Sequence, residues 1–273
     1  MKAAFKILPE LSTGKEYHLL VEAGRDSISL VWYSRAPLKV EGLFIYQSAK
    51  NSSDTTLAED IQKLLAAEQL PHYHSSVICY NFKETLIVPG KYYNNDNSAA
   101  MLDCIYGEMP GNRQFTEKLE GMDAYNIYRV PAAIQEAFSN RFFAAGAFHS
   151  NSLLIPCHQQ KELYCIVYNS YIKILLFKEG KLQLAQLFDY NTPSDVAYHL
   201  LNTCAQHHID PAALTLTLSG FIDQQSNLYE ELYRYFLNIT MEELPQDVEV
   251  ADEIKTYPEH FFSFLIDLVT CAS

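Results

Sequence analysis

Apolar positions along the chain fall into short runs separated by turn residues, and the order of these runs repeats. Residues 19–22 form a short apolar run, Gly24-Arg25-Asp26 is a turn signal, and 28–33 is β-branched and aromatic. Ala36-Pro37 turns the chain again before a third run at 43–46. Three such runs with tight connections predict a strand meander. The spacing then becomes helical at Leu57, Ile61, Leu64 and Leu65, behind the capping pattern Thr56-Leu57-Ala58-Glu59, and Pro71 stops it. Residues 77–80 read as a buried strand.

The second half follows the same order. Strands are predicted at 164–168, 171–177 and 184–188, with Glu179-Gly180 as a turn. Thr192-Pro193 opens a helix with Pro suited to its first position, and Val196, Leu200, Leu201 and Cys204 form its apolar stripe. Asp210-Pro211 and a strand at 214–218 follow. Ile28 and Ile172, and Leu43-Phe44 and Leu187-Phe188, share an offset of 144 residues. This pattern predicts an internal duplication. Outside the repeats, Asn94-Asn95-Asp96-Asn97 reads as a loop, 97–105 as a short helix and 126–130 as a strand. Helices are predicted at 131–138, 227–239 and 258–269.

Composition narrows the function classes. The 273 residues suit one large domain or two smaller ones. Apolar residues are 48% of the chain, which excludes disorder. The balance of 20 basic against 33 acidic residues gives a net charge of −13, which argues against a nucleic-acid partner. No apolar run reaches membrane-spanning length, and Lys6 and Pro9 break any secretory h-region near the start. The expected setting is the cytoplasm. Six Cys without a CxxC read as reduced thiols there. Ten acids between Asp223 and Glu259 face only Arg234 and Lys255, as expected of a solvated face.

Two tandem units of three strands, a helix and a strand resemble the actin-like ATPase fold, and Pro131-Ala132-Ala133-Ile134 resembles the segment joining its halves. The chain as a whole resembles an uncharacterised bacterial family, domain of unknown function 3822. The resemblance implies an α/β fold of duplicated ribonuclease H-like halves in an actin-like arrangement, 1–150 and 151–273, with the last helix packing on the first. It also implies a cleft for ATP with Mg²⁺. In such a fold each half holds phosphate on the hairpin between its first two strands, where Gly lets backbone amides approach and an acid nearby binds the metal through water.

Onto that pattern fall Glu22, Gly24 and Ser27 in the first hairpin, Asn169 and Ser170 in the second, and Ser219 and Gly220 as the adenosine-packing element. Glu22 stands where an Asp is usual, and the second hairpin, Tyr168-Asn169-Ser170-Tyr171, has neither Gly nor acid. The same residues also fit plain hairpin turns, with Gly24 supplying positive φ and Asn169 tolerating the left-handed region. The expected function is therefore a non-catalytic or weakly nucleotide-binding actin-like protein acting through a protein partner. The alternative is an ATPase or small-molecule kinase with atypical site residues.

Other constellations are weaker. His72-Tyr73-His74 and His207-His208 lack a third ligand by spacing, so no metal set is predicted. Cys157-His158 as a nucleophile and base lacks an orienting group. No phosphate-binding glycine motif and no G-x-S-x-G elbow occurs.

Overall fold

The computed structural model describes residues 1–48, 53–142 and 146–272. Strands β1 (Lys2–Ile7), β2 (His18–Gly24), β3 (Ser27–Arg35) and β4 (Leu38–Gln47) precede α1 (Asp54–Ala67) and β5 (Ser75–Asn81). An insertion follows, with β6 (Thr85–Pro89), α2 (Ser98–Tyr106), β7 (Asn112–Lys118) and β8 (Ala124–Pro131). Next come α3 (Ala132–Arg141), β9 (Gly146–His149) and α4 (Ser150–Cys157). The second run is β10 (Leu163–Val167), β11 (Tyr171–Lys178), β12 (Lys181–Asp189), α5 (Pro193–Gln206), β13 (Thr215–Gly220), α6 (Asn227–Tyr233) and β14 (Asn238–Met241). Then follow β15 (Glu249–Val250) and α7 (Ser263–Ala272).

The chain divides into two compact units. One comprises Met1–Pro156, Gln246–Thr256 and Leu268–Ser273, and the other Cys157–Pro245 and Tyr257–Asp267. The first unit's main sheet has the order β1-β4-β3-β2-β5-β9, and the second unit's sheet is β12-β11-β10-β13-β14. Setting β1 aside, both are an antiparallel meander followed by two parallel strands on its first strand. Parallel strands require a crossover, and α1 and α5 supply it. This shared order is a ribonuclease H-like sheet occurring twice. A small sheet, β6-β8-β7, is inserted in the first unit.

The strands are predictable because they are buried. Every residue of β2 is buried, so it reads as a continuous apolar run rather than an alternation. Leu19, Val21, Ile28, Leu30, Trp32 and Phe44 pack with Leu57 and Ile61 of α1 and Ile134 and Phe138 of α3. In the second unit, Cys165, Val167, Ile172 and Ile174 pack with Val196 and Leu200 of α5 and Leu232 of α6.

Several boundaries differ from the sequence expectation. Helix α1 starts a turn earlier, because Ser53 rather than Thr56 is the cap, its Oγ accepting from Thr56 N at 3.1 Å. The helix expected over 227–239 ends at Tyr233, and Asn238–Met241 is instead strand β14. Leu232, Phe236 and Ile239 all reach one core cluster, so a short helix, turn and strand mimic a helical stripe. The helix expected over 258–269 is a 3₁₀ turn at Glu259–Phe261 followed by α7. Pro131-Ala132-Ala133-Ile134 opens α3, which leads to β9 of the same sheet, not out of the first unit.

The duplication holds with one slip. Ala23 faces Ile28 as Val167 faces Ile172, which keeps the 144-residue offset for the first two strands. Ile28 then faces Tyr46, whereas Ile172 faces Phe188, so the third strands correspond at an offset of 142. A slip of two leaves each side chain on the same face, and the apolar pattern survives it. Cys104, Cys165 and Cys204 are free thiols, but Cys157 and Cys271 are disulfide-bonded, against the all-thiol expectation. Among the described residues no helix is long and apolar enough to cross a membrane.

Candidate functional site

The β2–β3 hairpin carries the first expected element. Gly24 ends β2 beside Asn81, the last residue of β5, and Ser27 opens β3 and is buried. Glu22 is 1% exposed. Its Oε1 accepts from Asn81 Nδ2 at 3.0 Å and its Oε2 from Ser29 Oγ at 3.3 Å. A buried carboxylate is costly without donors, and here the chain supplies one to each oxygen. Asn81 extends the network, its Oδ1 accepting from Ser150 Oγ at 2.9 Å.

His149, fully buried beside Ser150, is fixed as one tautomer. Its Nδ1 accepts from Asn151 N at 3.1 Å, so the ring proton lies on Nε2 and is donated to Phe82 O at 3.0 Å. Its backbone N–H donates to Glu117, which also accepts from the Tyr128 hydroxyl. Burial pushes the Glu117 carboxyl up despite donors from Ser152, Tyr128 and His149, and burial likewise raises Glu84. Both shifts make the protonated form more favourable in the fold than in the unfolded chain. The native chain therefore binds more protons than the unfolded chain just above the ordinary carboxylate range, and stability falls as pH rises through that window. Glu117→Gln is expected to flatten this decline when thermal midpoints are followed from about pH 4 to about pH 7. Parallel curves for the variant and the parent would exclude Glu117 as the source.

The second hairpin is a two-residue turn closed by Tyr168 N–H on Tyr171 O at 2.9 Å. Tyr168 and Tyr171 are 1% and 2% exposed. Their rings stack at 4.5 Å, and Phe264 meets Tyr168 edge-on at 5.1 Å. Asn169 and Ser170 are half-buried at the tip. Neither they nor Gly24 have left-handed backbone, which correctly predicted turns reserve for Glu179 (φ 51) and Gly180 (φ 70).

Gly220 ends β13 at φ +86, beside Val167 at the base of this hairpin. A Cβ there would lie 2.3 Å from Val167 O, so no other residue fits without movement. Ser219 is fully buried and turned inward, bonded to Ser263 Oγ at 2.7 Å and His260 O at 3.3 Å. Within the second unit the structure therefore joins Gly220 to the Asn169-Ser170 hairpin. Within the first it joins Glu22 and Gly24 to Asn81 and, through it, Ser150, with His149 next along the chain, which the sequence reading missed; Ser27 pairs instead with Gln47.

Lys173, fully buried on β11, was missed too. Its only sequence signal is a cation inside an apolar strand. The Cys157-His158 pairing is excluded, because Cys157 is disulfide-bonded and His158 Nε2 faces Asp267 Oδ2 at 3.2 Å. Among the described residues neither His72/His74 nor His207/His208 belongs to a group of three ligating side chains.

A family profile described as "Protein of unknown function (DUF3822)" matches residues 9–239. The chain belongs to DUF3822. No curated protein matches this DUF3822 chain. Solved structures do. A Bacteroides thetaiotaomicron VPI-5482 protein of unknown function with an actin-like ATPase fold is similar over 97% of this chain and 99% of its own, with 17% identity and a TM-score of 0.77. PilM in the PilM–PilN type IV pilus biogenesis complex is similar over 95% of this chain and 98% of the other, with 10% identity and a TM-score of 0.58. At such identities the likeness establishes the fold, and the DUF3822 chain is an actin-like ATPase fold of two ribonuclease H-like sheets.

The residues of its second hairpin do not fit a magnesium–phosphate cradle. They provide no carboxylate for the metal and no Gly for close amide approach, and two buried aromatic rings flank the turn.

Proposed function

We propose that this DUF3822 protein is an actin-like protein that binds nucleotide weakly or not at all, does not turn it over efficiently, and works through a protein partner. The observation that carries this reading is the second hairpin, where Tyr168 and Tyr171 stack on each other and Phe264 closes on Tyr168. The state of Glu22 supports it, since both oxygens already accept hydrogen bonds from Asn81 and Ser29. In-line phosphoryl transfer needs positioned metal and water, and these residues offer neither a carboxylate pair nor a lysine–glycine loop for it. PilM, similar in fold, is found in a complex with PilN, which makes a protein partner the natural reading of a fold kept without its phosphate hairpin.

One observation favours retained nucleotide contact, and so the alternative of an atypical ATPase or kinase. Gly220, at the adenosine-packing position, has a left-handed backbone with no room for a side chain. The test is the thermal midpoint with and without millimolar Mg-ATP. A ligand at 100 times its dissociation constant stabilises by about 2.7 kcal/mol, which is a shift of several degrees in a chain this size. The expected shift is below about 1 °C. A shift of several degrees, or steady ATP turnover that Glu22→Ala abolishes, would overturn the proposal.

A further inference from the structure

The second unit gathers ligating atoms from three distant segments into one buried place. His158 ends α4's exit, Glu242 follows β14 and Asp267 lies in α7. One donor atom from each lies within 4.8 Å of the others. The three side chains are buried, with relative exposures of 3%, 9% and 7%. His158 Nε2 stands 3.2 Å from Asp267 Oδ2, and Glu242 Oε2 accepts from Lys161 Nζ at 2.6 Å. The Glu242 backbone is itself fixed, its N–H donating to Leu218 O at 2.8 Å.

A second observation points into the same place. The ring of Tyr164 stacks on His158 at 4.3 Å and 15°. Its hydroxyl is buried and has no partner at hydrogen-bond geometry. The Ser219 hydroxyl is engaged by Ser263 at 2.7 Å. A buried phenol hydroxyl without a partner, on a ring stacked against His158, is a place where a bound water would gain a hydrogen bond.

Two carboxylates and an imidazole make a donor set of one nitrogen and two oxygens. The imidazole turns the preference from calcium and magnesium toward transition ions. Bonds of about 2.1 Å to a tetrahedral zinc put donors about 3.4 Å apart, and the His158–Asp267 pair already has that spacing. Glu242, whose ligand atom lies within 4.8 Å of the other two, has to close in to that spacing. We propose that His158, Glu242 and Asp267 form a site for a divalent transition ion, best matched by zinc, whose fourth ligand is a water hydrogen-bonded to Tyr164. Such a site is structural in kind. It ties the segments that carry His158, Glu242 and Asp267 together within the second unit. The inference stands apart from the partner reading above and survives its failure.

The test uses the full chain, stripped with EDTA, dialysed and titrated with zinc chloride by calorimetry, with metal content measured by mass spectrometry. One zinc per chain is expected. Glu242→Gln and His158→Gln should each lower affinity by about tenfold or more, while His207→Gln, outside the cluster, leaves it unchanged. Far-UV circular dichroism of each stripped variant checks the fold, and Glu242→Gln is decisive if His158→Gln does not fold. Cobalt(II) in place of zinc should give d–d bands without a sulfur charge-transfer band. The proposal is overturned if the parent chain takes up no zinc, which leaves only an ion-pair network. It is equally overturned if both variants bind as the parent does, or if a sulfur band reveals a thiolate ligand.

Discussion

Gly220→Ala is expected to destabilise the fold by about 3 kcal/mol or more, among the largest effects of any single methyl in the chain. Two costs add. The backbone at φ +86 disfavours any residue with a Cβ by about 1–2 kcal/mol. The added carbon would also lie 2.3 Å from Val167 O, and that neighbour is backbone, held in the β10–β13 ladder and accepting from Phe221 N at 2.7 Å. It cannot swing aside as a side chain would. Gly121→Ala is the matched control, because Gly121 also has positive φ, +69, but has open space around it. Its cost should be about 1 kcal/mol. Urea unfolding of both variants by far-UV circular dichroism measures the difference. Equal midpoints would mean that β10 and β13 separate easily at this end, and that Gly220 is kept for ligand approach alone.

That glycine was legible in the sequence because it follows the apolar run 214–218, and a strand ending in Gly signals close approach or a turn. The repeated meander was legible for a related reason. Strands buried on both faces are unbroken apolar runs, and a slip of two residues between repeats does not change their faces. Three of the unforeseen strands lack such runs. Five of the six residues of β1 are not buried, β9 has four residues of which only His149 is buried, and β7 alternates between exposed and half-buried. Their strand state comes from pairing with neighbours that are distant in sequence, which no local window contains. The acidic stretch from 223 onward reads partly as solvated face, yet Glu242 is buried against Lys161, a pairing that only the fold reveals. Candidate site residues divide in the same way. Glu22 and the two flanking tyrosines could be named from the hairpin, because turn and side chain are neighbours in sequence. Asn81 reaches Glu22, and Ser150 reaches Asn81, only once β2, β5 and β9 are side by side.

Asn81→Ala is expected to cost about 3 kcal/mol, against about 1 kcal/mol for Ser150→Ala. Asn81 is fully buried and serves two partners, donating to a carboxylate and accepting from a hydroxyl. Bonds to a charged acceptor are stronger than neutral ones, and losing one in the interior leaves part of the desolvation cost of Glu22 uncompensated. Ser150→Ala removes the neutral bond to Asn81. The informative measurement is a double-mutant cycle with Glu22→Gln, read by urea unfolding. With the charge gone, Asn81→Ala should become cheaper by about 1–2 kcal/mol, because the two side chains are in contact and cannot act independently. Such coupling would identify the Glu22 carboxylate as a group whose hydrogen bonds hold the first sheet's strand ends together. A side chain committed in that way is poorly suited to binding a hydrated magnesium ion, which asks its ligands to accept from water instead. If Asn81→Ala costs the same in both backgrounds, the carboxylate is not what Asn81 serves. Glu22 then regains its standing as a ligand-facing residue, and the atypical-ATPase reading gains the acid it lacks.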